Sequence, residues 1–438
     1  MKAGLVASGL AYHRPAPNHG PPSARLLMQI FARATQMHDP TLDLSNGQSF
    51  AQGFPHEFFT WLRANEPLYW HPPTPITPDG EGFWVFSRYA DVDSVIMDPS
   101  TYSSDRGGTR TAGGTTIKDE VSAGRVMNQT DGLLHRRLRA IVNEGFTVKA
   151  IATLEDELRL RTRRLLDSLA VGDRLDFAQR VAREIPTQAI CIVLGVPEAD
   201  RLMLVDWIDH GIEAPSEAVI AEEYSRKIRR YAQSLILSKR GIPQDDIFSS
   251  IVHARFEADG STLSDHELRS FFGLLFPAGA ETTTRSISGG MLALVERPAA
   301  WRQLRAQPAL LKTAIEEIVR WTTPSCYKRR TATRDVHHAG KLIREGDKVT
   351  FWEMSANRDE RVFDAPFEFQ PERNPNRHLG FGAGVHFCLG SVLARLELRV
   401  VFEELLASPL NFALDGVPVW MPNNRLVGLK SLPLRVIA

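Results

Sequence analysis

The 438-residue chain has only three cysteines, Cys191, Cys326 and Cys388. They are too few and too scattered for a disulfide framework or a cysteine-rich zinc or iron–sulfur site. Neither charge is in excess: 52 Lys+Arg balance 52 Asp+Glu. No global field therefore draws the chain to nucleic acid or to an anionic membrane. A long apolar run is also missing. Met1–Leu10 carries one lysine and a short apolar stretch, too brief to span a bilayer and a poor secretion signal. Together these absences predict a cytoplasmic protein without a membrane anchor. No linker divides the later chain. Residues 11–25, with Pro15, Pro17, Pro21 and Pro22, exclude a regular element. We therefore expect a flexible leader over residues 1–40 and one domain over 41–438.

What is present is ordinary globular material, 43% hydrophobic and 24% charged, enough for a sizeable core. Helical spacing dominates: Phe54–Asn65, Tyr89–Met97, Leu154–Leu169, Ala178–Leu194 interrupted at Pro186, Glu198–His210, Ala221–Lys239, Pro308–Trp321 and Ser391–Leu406. Gly82–Ser87 reads as a strand, and residues 330–349 as a short β meander. The longest helix opens on a capping box, Ser264 and Glu267, and runs to about Glu296, with Pro277 and Gly279 in its middle. Proline and glycine there cost about 3 and about 1 kcal/mol relative to alanine, and such violations mark functional sites. A kink or opened turn is expected at Pro277. Asp105–Arg125 is Gly- and Thr-rich without periodicity, and reads either as a functional loop or as a merely solvated one.

The chain is organised around Phe381-Gly382-Ala383-Gly384-Val385-His386-Phe387-Cys388-Leu389-Gly390. Glycines let the backbone lie flat against something large. The helix that follows directs unpaired N–H groups and its positive end at Cys388, which favours a thiolate. A lone thiolate in a flat glycine loop suits haem iron; the alternative is an inert buried thiol.

That loop resembles the haem-ligand loop of the cytochrome P-450 superfamily. Three further motifs occur in the family's order. Ala278-Gly279-Ala280-Glu281-Thr282-Thr283 resembles its oxygen-activation motif, Glu317-X-X-Arg320 its second signature, and His135-X-X-X-Arg139 its propionate-binding pair. The resemblance implies a mostly α fold with small β-sheets, a single domain holding haem b between the long helix and the cysteine helix. It implies Cys388 as the iron ligand, with His135, Arg139, Arg330 and His386 at the propionates. Phe381 and Gly382 would lie beside the sulfur. Ala278 and Gly279 would leave room above the porphyrin, Thr282 would supply a hydroxyl near the iron, and Glu281 would relay protons. Arg373 would join Glu317 and Arg320 in a buried network. Loop 105–125 would close over substrate.

The implied activity is monooxygenation of a small hydrophobic compound by O2, with electrons from NAD(P)H through a ferredoxin or flavodoxin docking near Arg136, Arg137, Arg395 and Arg399. The bacterial type is implied, and Ser355–Glu360 with Asn374–His378 resembles members acting on steroids, terpenoids and branched lipids. A peroxide-driven peroxygenase and a haem sensor or carrier are the rivals.

Overall fold

The computed structural model describes residues 42–438 except 108, 214–217 and 257–259, and excludes the side chains of 144 and 208–221. The expected leader over 1–40 lies outside the described residues, as does most of the join expected at Gly211–Ser216.

The helix Asp265–Val295 is the axis of the described residues. Its capping box forms as expected: Glu267 N donates to Ser264 Oγ, and Ser264 N donates to Glu267 Oε2 at 2.8 Å. The helices Glu184–Val193, Ala218–Gly241, Leu311–Thr322 and Ser391–Ala407 pack around it. The largest apolar cluster forms between them, with Phe272, Phe276, Ile287, Met291, Ile318 and Phe402 at its centre. Gly290 permits the close approach: a Cβ there would stand 2.9 Å from Ile318 Cγ2 and 3.0 Å from Phe402 Cζ.

The long helix is assigned continuously through Pro277. Its missing N–H deprives Gly273 O of the usual helical donor on an exposed side of the helix. Pro186 likewise does not interrupt its helix. It is the third residue of Glu184–Val193, and the irregularity comes earlier, as a wide turn at Ala178–Ala182. Proline is compatible with a first turn, whose N–H groups need no helical acceptor.

A five-stranded sheet runs in the order Leu68–His71, Phe83–Phe86, Lys348–Phe351, Lys328–Ala332, Tyr102–Ser103. Only Phe83–Phe86 and Lys348–Phe351 pair in parallel. Trp352, fully buried, anchors an aromatic cluster beneath this sheet with Phe50, Phe54, Phe59 and Tyr327. Smaller sheets complete the mostly α fold. No helix among the described residues is long and apolar enough to cross a membrane.

Loop 105–125 is more ordered than its composition suggests. Ile117 and Ala123 are buried, and Arg110 bonds Asp119 and Glu81 at 2.6 Å each.

Candidate active site

The cysteine loop folds back on itself through Cys388 N–H, which donates to Phe381 O at 2.9 Å. Gly382 and Gly384 take φ of +67° and +62°, which L side chains rarely adopt. Nothing lies within 4 Å of a Cβ built on Gly382 or Gly390, so both backbones border open space. The helix starts at Ser391 with Gly390 as its cap, placing Cys388 just before it. Cys388 is solvent-accessible, and the protein around it still desolvates the thiol.

The thiol differs from expectation in one respect. Burial pushes its pKa up, outweighing Gly390 N–H and the charges of Lys328, Arg139 and Arg395. The helix end alone does not make it a thiolate; a cation bound at the sulfur would have to. Cys191 and Cys326 are buried and inert, Cys191 pushed up to about 12 by burial.

Two arginines, Arg139 near Cys388 and Arg330 near His386, have no carboxylate partner among the described residues. Arg330 is buried, donates to Arg329 O at 2.9 Å and lies over the Phe351 ring. Burial depresses it to about 10. Arg139 is half-buried, depressed by desolvation, and senses the Cys388 charge.

His135 sits one turn from Arg139 as predicted, but both its nitrogens face backbone carbonyls: Met127 O at 2.9 Å and Val385 O at 3.0 Å. His386 Nε2 meets Ser104 Oγ at 3.0 Å and Asp131 Oδ1 at 3.5 Å. Burial takes His386 down to about 4. Burial would raise Asp131, but bonds from His386, Ser103 and two backbone N–H groups hold it down to about 2. Asp131 and Ser104 are site residues that motif reading missed.

On the long helix, Gly273, Leu274, Pro277, Ala278, Glu281 and Thr282 form an open stripe at helical spacing, while Ala280, Thr283 and Ser286 are buried. Ala278 and Thr282 both face open space, and Thr282 Oγ1 donates to Ala278 O at 2.9 Å. Glu281 pairs with Arg285 at 2.6 Å. Gly279 departs from expectation. A Cβ there would lie 2.8 Å from Ile190 Cδ1, so this glycine serves close helix packing rather than room above a porphyrin.

Glu317, Arg320 and Arg373 meet in one buried network. Arg320 grips Glu317 through Nε and Nη2, both at 2.7 Å and both residues fully buried, and Arg373 Nε reaches Glu317 Oε2 at 3.1 Å. Gln370 N and Asn376 Nδ2 saturate the same carboxylate. Arg320 and Arg373 spread their remaining donors over carbonyls of Asn357, Asp364, Ala365, Pro366 and Glu368. The run Ser355–Glu360 belongs to this scaffold: Arg358 donates to Arg320 O and Trp321 O, and Asn357 Oδ1 receives Leu379 N–H. Its place is structural, not at a substrate surface.

Of the four arginines expected at a docking face, Arg395 is held by Glu316 at 2.7 and 2.8 Å, and Arg399 by Glu155 at 2.9 and 2.5 Å. Arg137 stacks on Phe256. Arg136 is exposed. Arg395 also covers the Phe381 ring, 4.4 Å from its centroid.

The donors fit haem. One solvent-accessible cysteine, bare glycine backbone around it, two arginines without carboxylate partners and an open helical stripe suit a flat, dianionic metallomacrocycle.

Known proteins agree. A profile of the cytochrome P-450 family matches residues 216–437. Cytochrome P-450 126 of Mycobacterium tuberculosis is 48% identical over 398 residues, covering 89% of this chain and 96% of that protein. The methyl-branched lipid omega-hydroxylase of the same organism is 37% identical, covering 86% and 90%. The structure of Mycobacterium marinum cytochrome P-450 CYP268A2 in complex with pseudoionone superposes with TM-score 0.81 at 33% identity, covering 92% of this chain and 100% of that one. With a cysteine loop and buried Glu317–Arg320 pair of matching pattern, the chain belongs to the cytochrome P-450 family and is an enzyme of its monooxygenase class.

Proposed function

We propose that this enzyme hydroxylates an apolar, branched-chain or terpenoid-like compound at a C–H bond. Two supports for that class are the methyl-branched lipid in the name of one relative and the pseudoionone bound to another. The observation that carries the cofactor assignment is the pairing of the solvent-accessible Cys388 with two arginines, Arg139 and Arg330, that lack carboxylate partners.

In this reading Cys388 holds the iron, while Arg139 and Arg330 take the propionates. His386 and His135 brace the rim from their bonds to Ser104 and Met127. Phe381, pinned under Arg395, shields the sulfur, and Gly382 lets the ring lie flat. Bound there, haem b supplies dioxygen activation: with two electrons and two protons, one oxygen atom enters the C–H bond and the other leaves as water.

The remaining chemistry belongs to the chain. Ala278 leaves space for oxygen and substrate. Thr282 presents the hydroxyl that passes a proton, and Glu281 delivers it from solvent after leaving Arg285. Glu317, Arg320 and Arg373 keep the loop in place. Electrons derive from NAD(P)H through a separate ferredoxin or flavodoxin in the cytoplasm. Arg136 is the one of the four expected docking arginines left exposed.

The test is an optical titration of ferric holoenzyme with branched lipids and terpenoids, followed by turnover with NAD(P)H and a reductase–ferredoxin pair. Water displacement by such compounds and reductase-dependent hydroxylated product support the assignment. Product made equally well from peroxide alone, or spectral binding without product, contradicts it.

A further inference from the structure

Lys328 and Arg330 stand two apart on the strand Lys328–Ala332, so their side chains leave one face of the sheet and Arg329 leaves the other. That shared face looks onto the cysteine loop. The Arg330 charge is felt at His386, and the Lys328 charge at Cys388, where it lowers the thiol more than Arg139 does. In the proposed function Arg139 and Arg330 take the two propionates, which leaves Lys328 over.

Unlike those arginines, Lys328 has a counter-ion. Its Nζ donates to Glu353 Oε1 at 2.8 Å and, more weakly, to Ser325 O at 3.4 Å. An ammonium carries three donors, so one N–H is left without an acceptor among the described residues. The two side chains differ in access: Lys328 is 32% exposed and Glu353 only 2%. Glu353 Oε2 is buried with no hydrogen-bond partner among the described residues, and a carboxylate so placed needs a cation against it. The acid thus fixes where the ammonium stands and cancels its charge, while the ammonium alone reaches open space.

That asymmetry selects the chemistry of a ligand. A cation already neutralised by a buried acid gains little from a second carboxylate, which would meet the Glu353 charge as well. A neutral oxygen suffers no such repulsion and still accepts the remaining N–H, in a bond that the charge on the donor strengthens.

We propose that Lys328, positioned by Glu353, determines specificity at this site by binding a neutral carbonyl oxygen, of a ketone or an ester, on an otherwise apolar substrate. The inference rests on the proposed function in placing substrate in the open space beside Cys388, and it narrows that reading to oxygen-bearing compounds.

The test is an optical titration of ferric holoenzyme with geranylacetone, the hydrocarbon that lacks its oxygen, and the carboxylic acid that replaces its methyl ketone. The ketone-to-hydrocarbon affinity ratio is expected to fall about tenfold in Lys328→Met, the change produced by 1.4 kcal/mol, with hydrocarbon affinity unaltered. Lys328→Arg retains most of the wild-type ratio. Glu353→Gln, by uncovering the ammonium charge, turns the preference from the ketone towards the acid. Should Lys328→Met fail to fold, the double variant Lys328→Met/Glu353→Gln leaves no buried charge unpaired and is read in its place. A ketone-to-hydrocarbon ratio that matches wild type in these lysine variants overturns the proposal. So does a wild type that binds the acid best. Uniform loss of all three ligands with faster transfer of haem to apomyoglobin also overturns it, because Lys328 would then be holding a carboxylate of the cofactor. Wild-type holoenzyme that binds none of the three refutes the substrate class itself and the subsite with it, a result distinct from the loss of one ratio.

Discussion

Glu281 Oε2 accepts a hydrogen bond from Arg285 Nη2 at 2.6 Å, one turn along the same helix. The acid expected to bring protons to the site is therefore turned to a buried arginine, itself packed on the backbone of Gly428. The Thr282 hydroxyl is likewise engaged within the helix, on Ala278 O. Under the proposed function, proton delivery would require both groups to exchange an intrahelical partner for a catalytic one.

Glu281→Gln keeps the shape and removes the proton donor. We expect coupled product formation to fall about a hundredfold, with substrate affinity unchanged and a larger solvent isotope effect. Thr282→Val should instead lower product formed per O2 consumed. Steady-state turnover with oxygen and product both quantified checks each outcome.

Breaking the Glu317 network leaves Arg320 buried without its counter-charge. Glu317→Ala should destabilise the protein by about 3–5 kcal/mol and release haem. Thermal unfolding with haem content at each temperature measures both.

Glu397 is fully buried on the cysteine helix, although by spacing it belongs with its polar neighbours. Neither of its oxygens has a partner of hydrogen-bond geometry; the nearby Thr283 hydroxyl only moderates the effect of burial, which raises the pKa to about 8. The folded state thus keeps a proton that the unfolded chain loses near the ordinary value of 4.5. The protonated group imposes no ionisation penalty below that value. As pH rises from there towards 8, stability falls by up to about 1.36 kcal/mol per unit. Glu397→Gln should flatten this slope in denaturant titrations between pH 5 and 8.

Gly279→Ala places a methyl 2.8 Å from Ile190 Cδ1 and Cγ1. Overpacking of this kind costs about 1–3 kcal/mol. Ile190→Ala in the same chain should recover much of the loss, as chemical denaturation would show.

Local chemistry was the legible part of the site. The glycine loop, the capping box at Ser264 and the Glu317–Arg320 spacing each announce themselves within a few residues. The long helices followed from period, with ends within three residues, while Ile247–His253 and Pro298–Ala306 were not foreseen. What the sequence could not show were contacts made across the chain. Gly279 faces Ile190, some ninety positions away, and no local pattern says which helix face a neighbour will cover. Arg395 and Arg399 read as a free basic face until Glu316 and Glu155 are found against them. Composition left loop 105–125 between a functional and a solvated reading because its ties run to Glu81 and Arg329, both distant in sequence.

The most direct test is spectroscopic. Wild-type protein reconstituted with haem, reduced and exposed to carbon monoxide, should give the red-shifted Soret band of a thiolate-bound iron. Cys388→Ser should lose that band while Cys191→Ser and Cys326→Ser retain it. A Cys388→Ser protein with an unaltered ferrous-carbonyl spectrum would contradict the account.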